Sequence, residues 1–203
     1  MYDILLSLYQ HFLQTSILEW VATITGFLCV FLASKQNILN WPISIISVSI
    51  YLYIFYQNKL YGDAVLQLYF ISTAIYGWYY WSRLEARADK PLSRPVLSLN
   101  VVQVVWTLSC IAVLGTLISL LLQKTDTDVP YADGFCTAGS LVAQFLMSRK
   151  VLQNWLLWLG VNICYIPLYY HKGLYLTAIL YVAFAFIAYQ GYKDWRKSYL
   201  NFQ

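Results

Sequence analysis

Charge is what this chain of 203 residues holds least of: 13 basic and 9 acidic side chains make up 11% of it, against roughly a quarter in an ordinary soluble domain. Hydrophobic residues reach 60%, and the tract 100–122 has no charge at all. A water-soluble fold of this size has too little polar cover for that much apolar surface, so an all-α integral membrane protein is the reading. Catalytic apparatus is also missing. The two histidines, His11 and His171, stand far apart. Cys29, Cys110, Cys136 and Cys164 lie singly in apolar tracts, without the paired spacing of a metal site or disulfide framework. There is no phosphate-cradling glycine loop through which to use ATP. Glu19, Asp63 and Asp133 fall near the outer ends of apolar tracts, where they make poor proton relays. These absences point away from an enzyme, a cofactor or a metal, and toward passive transport. The N-terminal "MYDILLSLYQHFLQ" lacks the cationic start of a secretory signal and is expected to stay on the chain as a short surface-lying helix.

Seven stretches are apolar and long enough to cross about 30 Å of hydrocarbon. They fall near 17–34, 40–57, 62–81, 100–122, 132–148, 154–170 and 173–192. The longest hydrophilic connection, "SRLEARADKPLSRP" at 82–95, is expected to be a linker because of Pro91 and Pro95. Assigning alternate connections to opposite sides puts ten Lys and Arg residues on one side and three, Lys59, Lys124 and Lys172, on the other. Positive charge stays cytoplasmic, so the N-terminus is expected outside and the C-terminus inside. The same split explains the net charge of +4 without a nucleic-acid partner. The partner is the bilayer.

Shifting the chain by 114 residues aligns its two ends without a gap. Asn40-Trp41 falls on Asn154-Trp155, Tyr51 on Tyr165, Gly77 on Gly191 and Trp81 on Trp195. Residues 19–81 and 133–195 share 16 identities in 63 positions, where composition alone gives roughly five. Each copy holds three spans, with one unmatched span between them. The expected organisation is therefore a single transmembrane domain, 1–203, with repeat 1 at about 17–81, a linker helix at about 100–122 and repeat 2 at about 132–195. This is a 3+1+3 parallel repeat about an axis along the membrane normal, an arrangement of transporters whose substrate sites lie near mid-membrane between the repeats.

Polar residues that differ between the copies are the candidates for that site. Trp155, Trp158 and Asn162 lie at offsets of zero, three and seven, on one face of the sixth span; the second span has Trp41, Ser44 and Val48 there. Asn162 is about 12 Å inside its span, close to mid-bilayer. Trp155 also suits the interfacial aromatic belt, and Trp158 and Asn162 also suit helix–helix contacts. Gln67 stands opposite Tyr181 in the alignment, and Gln144 opposite Val30. Tyr51 and Tyr165 match and are either symmetric lining or scaffold. Tryptophan faces suit flat rings and cations, while amides suit hydroxyls and carboxamides.

The segment "NWPISIISVSIYLYIFYQNKLYGDAVLQLYFISTAIYGWYYW", residues 40–81, resembles the Pnu family of bacterial vitamin transporters, as does the W-x-x-W of Trp155 and Trp158. The resemblance covers about residues 17–195. It implies seven spans arranged as in SWEET sugar transporters, in the bacterial inner membrane, and a homo-oligomer, a trimer. It also implies facilitated uptake of an unphosphorylated aromatic vitamin that cytosolic phosphorylation then traps. Nicotinamide riboside is the favoured substrate, because amides suit its ribose and carboxamide; thiamine and riboflavin are the alternatives within the family. From another class, a membrane enzyme or structural subunit remains as the distant alternative. The resemblance makes Trp155, Trp158, Asn162, Gln67 and Gln144 pocket residues.

Overall fold

The computed structural model describes residues 17–57, 61–86, 96–125, 127, 129–171 and 175–201. They form seven helices: α1 (Ile17–Ser34), α2 (Asn40–Gln57), α3 (Tyr61–Ala86), α4 (Val101–Leu122), α5 (Pro130–Ser148), α6 (Asn154–His171) and α7 (Tyr175–Leu200). The helix expected at the N-terminus lies outside the described residues. Two of the expected ends were too early. α3 runs on to Ala86 and α7 to Leu200, because "SRLEA" and "KDWRKSYL" hold no Gly or Pro and are largely built from residues a helix accepts at little cost. The linker expected over 82–95 therefore begins as helix; 87–95 lies outside the described residues.

Local signals fix several ends. Asn100 and Gln103 cap α4 reciprocally: Asn100 Oδ1 accepts from Gln103 N at 2.8 Å, and Gln103 Oε1 from Asn100 N at 3.0 Å. Pro130 opens α5, where a missing N–H costs nothing. The hairpins α1–α2 and α5–α6 are built alike. Gln36 and Lys150 both take the left-handed conformation, at φ 56° and 58°. Gln36 N donates to Ala33 O and Lys150 N to Met147 O, both at 2.9 Å. Asn40 Nδ2 donates to Asn37 O at 2.7 Å, and Asn154 Nδ2 to Val151 O at 2.6 Å.

Six helices close a ring in the order α1, α2, α3, α5, α6, α7 and back to α1. α4 lies outside it, packed on α5 alone among the described helices. That contact is close because a side chain on Gly134 would collide with the backbone of Ser119, the small-residue packing common between helices in lipid. The polarity runs opposite to that of a soluble bundle. Large apolar side chains such as Val21, Ile24, Leu68, Ile75, Val105, Trp106, Val182 and Phe186 face outward, whereas Ser47, Gln67, Thr73, Ser140, Gln144 and Asn162 are buried. Among the described helices, only α4 is long and apolar enough to mark a span by composition. Within α1, Trp20–Ser34 is a shorter apolar stretch, while inward polar residues such as Gln67, Gln144 and Asn162 dilute the hydropathy of α3, α5 and α6.

One end of the ring is sealed by tryptophan. Trp41, Trp81, Trp155 and Trp195 are at most 1% exposed. Their rings meet in sequence, Trp41–Trp81 at 5.2 Å, Trp81–Trp195 at 5.8 Å and Trp195–Trp155 at 5.5 Å. Trp195 Nε1 donates to Ala33 O at 3.1 Å. Polar contacts flank this floor: Lys35 Nζ meets Asp194 Oδ2 at 2.7 Å, and Arg149 donates to Tyr76 OH at 2.8 Å while lying 5.0 Å from the Tyr80 ring centre. The strand-like contact of Leu97 with Val151 ties the start of α4 to the same end.

Candidate functional site

Above the tryptophan floor, the ring encloses a cavity of about 890 Å³, lined by all six ring helices and by none of α4. Its shape follows from two stripes. α6 presents Trp155, Trp158, Asn162, Tyr165 and Tyr169, and α2 presents Trp41, Ser44, Val48, Tyr51 and Phe55. Offsets of 0, 3, 7, 10 and 14 keep each set on one helix face. At 1.5 Å per residue each stripe is about 21 Å long. The cavity is a shaft rather than a shallow pocket.

All seven residues singled out in the sequence, Trp155, Trp158, Asn162, Gln67, Gln144, Tyr51 and Tyr165, line this shaft, but not at one level. Trp155 is part of the floor. It is 1% exposed, and a Cβ on Gly191 would meet its ring at 2.8 Å. A belt tryptophan faces the lipid–water boundary; this one does not. Trp158 and Gln144 stand about one turn above the floor and Asn162 about 10 Å above it, by helical rise. Tyr51 and Tyr165 come next. Tyr51 OH and Thr23 Oγ1 are 3.1 Å apart. Gln67 is fourteen residues from Trp81, so it lies near the top, about 21 Å from the floor. The three amides thus stand at two levels of the shaft.

The three amides are 8%, 9% and 5% exposed for Gln67, Gln144 and Asn162. None of their side chains hydrogen-bonds to another described residue. Buried polar groups normally find partners, so amides serving as helix–helix glue would be paired. The Nε1 atoms of Trp41, Trp155 and Trp158 are also buried without an acceptor. The amides line the shaft with hydrogen-bonding capacity unused, whereas the tryptophan Nε1 atoms are sealed among neighbouring side chains.

The walls differ. α3, α5 and α6, consecutive in the ring, carry Gln67, Gln144 and Asn162; the 114-residue counterparts on α7, α1 and α2 are Tyr181, Val30 and Val48. The three amides thus lie on one side of the ring, while Thr23, Asn40, Ser44 and Ser47 are polar lining on the other, and aromatic rings occur on both sides. Among the described residues, no Asp, Glu, Lys, Arg or His lines the cavity, and no group of three metal-ligating side chains occurs. Such a lining can hold a flat ring carrying hydroxyl or carboxamide groups. A cationic ring is tolerated through aromatic faces, whereas a phosphate would find no counter-charge.

The sequence reading missed Tyr169, Tyr181 and Phe184. Tyr165, Tyr169 and Tyr181 pack together with ring centres 5.0–5.4 Å apart, and Tyr181 meets Phe184 at 6.0 Å. The α6 stripe, followed to its fourteenth position, would have found Tyr169. Tyr181 was noted only as the partner of Gln67.

Comparison with known proteins gives a consistent picture. Residues 16–197 match the family model described as nicotinamide mononucleotide transporter. The nicotinamide riboside transporter PnuC of Escherichia coli is 30% identical over 205 residues, covering 89% of this chain and 85% of the relative. The riboflavin/roseoflavin transporter RibM of Streptomyces davaonensis is 26% identical, covering 87% and 83%. The crystal structure of the vitamin B3 transporter PnuC superposes with a TM-score of 0.75 at 27% identity, covering 98% of this chain and 89% of that one.

Proposed function

The chain belongs to the nicotinamide mononucleotide transporter family, a family of membrane transporters rather than enzymes, and from that premise we propose that it carries nicotinamide riboside passively across the bacterial inner membrane. The observation that carries this reading is the shaft itself: three amides on consecutive helices, aromatic rings around them, and no charged side chain among the described residues of the lining. Amides suit ribose hydroxyls and a carboxamide, and rings suit a flat cationic pyridinium. The uncharged lining favours the riboside over the mononucleotide of the family's name, since a phosphate dianion taken from water into an uncharged site loses its hydration without repayment. The same logic supports trapping: once phosphorylated in the cytosol, the vitamin no longer fits the path by which it came.

The architecture of this reading is a 3+1+3 parallel repeat like that of SWEET transporters, with repeat 1 at about 17–81, α4 as the linker helix and repeat 2 at about 132–195. Its support is the matched hairpins at Gln36 and Lys150, the paired tryptophans of the floor, and a ring in which α1–α2, α2–α3 and α3–α5 contacts correspond to α5–α6, α6–α7 and α7–α1. The tryptophan floor is the cytoplasmic end, since Lys35, Arg83, Arg149, Lys150, Lys193, Arg196 and Lys197 gather there. The N-terminus is then outside and the C-terminus inside. A homo-oligomer, a trimer, belongs to the same reading, with the bare outer face of α4 available to neighbouring copies.

Within this shaft we assign substrate contact to Trp158, Asn162, Gln144, Gln67, Tyr51 and Tyr165, with Trp155 as the floor. RibM keeps riboflavin as the second reading, and thiamine, flat and cationic, is the third. Calorimetric titration of purified protein with all three vitamins separates them. A preference for riboflavin or thiamine would overturn the substrate while leaving the transporter class; proteoliposomes that equilibrate none of them would overturn the class.

A further inference from the structure

The length of the shaft exceeds what one central site needs. From the floor to the level of Gln67 and Tyr181 is about 21 Å by helical rise, and a cavity of about 890 Å³ is near the upper end of the roughly 300–1,000 Å³ typical of small-molecule sites. Asn162 and Gln67 are separated along the shaft by about seven residues of rise, or 10 Å. The upper level has its own chemistry. Gln67 is 8% exposed, lines the cavity and makes no hydrogen bond to another described residue. Tyr169 and Tyr181 stand at the same height with Tyr165 about 6 Å below, and the three form a contiguous aromatic wall with ring centres 5.0–5.4 Å apart. An amide facing the cavity complements a carboxamide, and a tyrosine wall complements a flat cationic ring.

We propose that Gln67 and the Tyr165–Tyr169–Tyr181 wall form a second, outer site for a flat carboxamide-bearing cationic ring, distinct from the deeper level of Trp158, Gln144 and Asn162. It rests on the reading of the chain as a nicotinamide riboside carrier. Ligand held at the outer site passes down the shaft to the deeper one, where Asn162 and Gln144 engage the ribose. The outer site has one amide and a ring wall, so it recognises the ring without the sugar.

The test uses N-methylnicotinamidium, which keeps the ring, charge and carboxamide but has no ribose. Nicotinamide riboside is titrated calorimetrically into full-length protein at rising concentrations of this cation. With two sites, the apparent Kd of the riboside rises and then levels off, as separate but coupled sites require. In Gln67→Leu and in Tyr181→Leu the riboside Kd no longer responds to the cation, whereas in Asn162→Leu riboside affinity falls and the response to the cation remains. Apparent Kd rising in proportion to the cation without limit would mean one shared site and overturn the proposal. No binding of the cation would overturn it as well. A loss of riboside affinity in Gln67→Leu equal to that in Asn162→Leu would mean a single ligand bridging both levels. The wild-type competition stands even where a variant fails to fold. Failure of the riboside to bind without competitor would instead overturn the transport reading.

Discussion

Replacing Asn162 by leucine is expected to strengthen the fold and weaken binding together. Asn162 is 5% exposed and makes no hydrogen bond to another described residue, and its 114-residue counterpart on α2 is Val48, which is 8% exposed. A buried, unpaired amide costs about 1–3 kcal/mol. Water in the shaft returns part of that, so the apolar variant should gain up to about 1 kcal/mol of stability. On the ligand side, a group of the substrate that had paired with the amide is stranded. The same 1–3 kcal/mol appears there as a Kd roughly 5- to 150-fold higher. Calorimetry reads the affinity, and thermal unfolding followed by fluorescence-detected size exclusion reads the stability. An interhelical amide contact predicts the reverse pattern, a loss of about 0.6–2 kcal/mol of stability with affinity intact. That reverse pattern would refute the assignment of Asn162 to substrate.

Gly191→Ala places a Cβ 2.8 Å from the Trp155 ring, and Gly77→Ala one 2.5 Å from Trp41. Overpacking of about 1–3 kcal/mol should outweigh the roughly 1 kcal/mol gain in helix propensity, so both variants should melt earlier; unchanged melting would mean that the rings are not pinned. Asp194→Asn removes the ion pair with Lys35, whose side chains are 54% and 35% exposed for Lys35 and Asp194, so the loss should be at most about 1 kcal/mol. That difference should fade as salt is raised; a large, salt-independent loss in thermal unfolding would contradict this. Nicotinamide mononucleotide should neither bind in calorimetry nor enter proteoliposomes, and uptake comparable to the riboside would refute the argument from an uncharged lining.

The seven helices were legible because apolar length and turn chemistry agree along the chain. α1 and α2 begin and end where the sequence places them, and α4 starts at its Asn100–Gln103 capping box. The ends of α3 and α7 were not legible, because hydropathy marks where a helix leaves apolar surroundings and not where it stops. For the shaft, offsets along one helix brought Trp155, Trp158 and Asn162 onto one face. Depth was harder. Gln67 and Gln144 are both amides at mismatched positions, so the alignment treats them alike; only their distance from the tryptophan floor separates them. The tyrosine wall was missed for a related reason. Its members look like scaffold one by one, and only the packing of α6 against α7 makes them a surface.

The two-copy reading also explains why the frame and the lining differ in symmetry. The floor repeats across the halves: Trp41 rests over Gly77 as Trp155 rests over Gly191, and Trp81 touches Trp195 where the halves meet. A transporter needs such a frame if its halves are to rock against each other while the site stays fixed between them. The proposed ligand has no matching symmetry, having a sugar at one end and an aromatic ring at the other. Identical walls would bind it equally well in two opposed orientations. With Val30 matched to Gln144, Val48 to Asn162 and Tyr181 to Gln67, the lining breaks that degeneracy. The seams diverge at matched positions too, with Lys35 paired to Asp194 on one side and Arg149 set on Tyr80 on the other. The same substitution logic thus acts twice, orienting the proposed ligand inside and making the two seams unequal at the tryptophan floor.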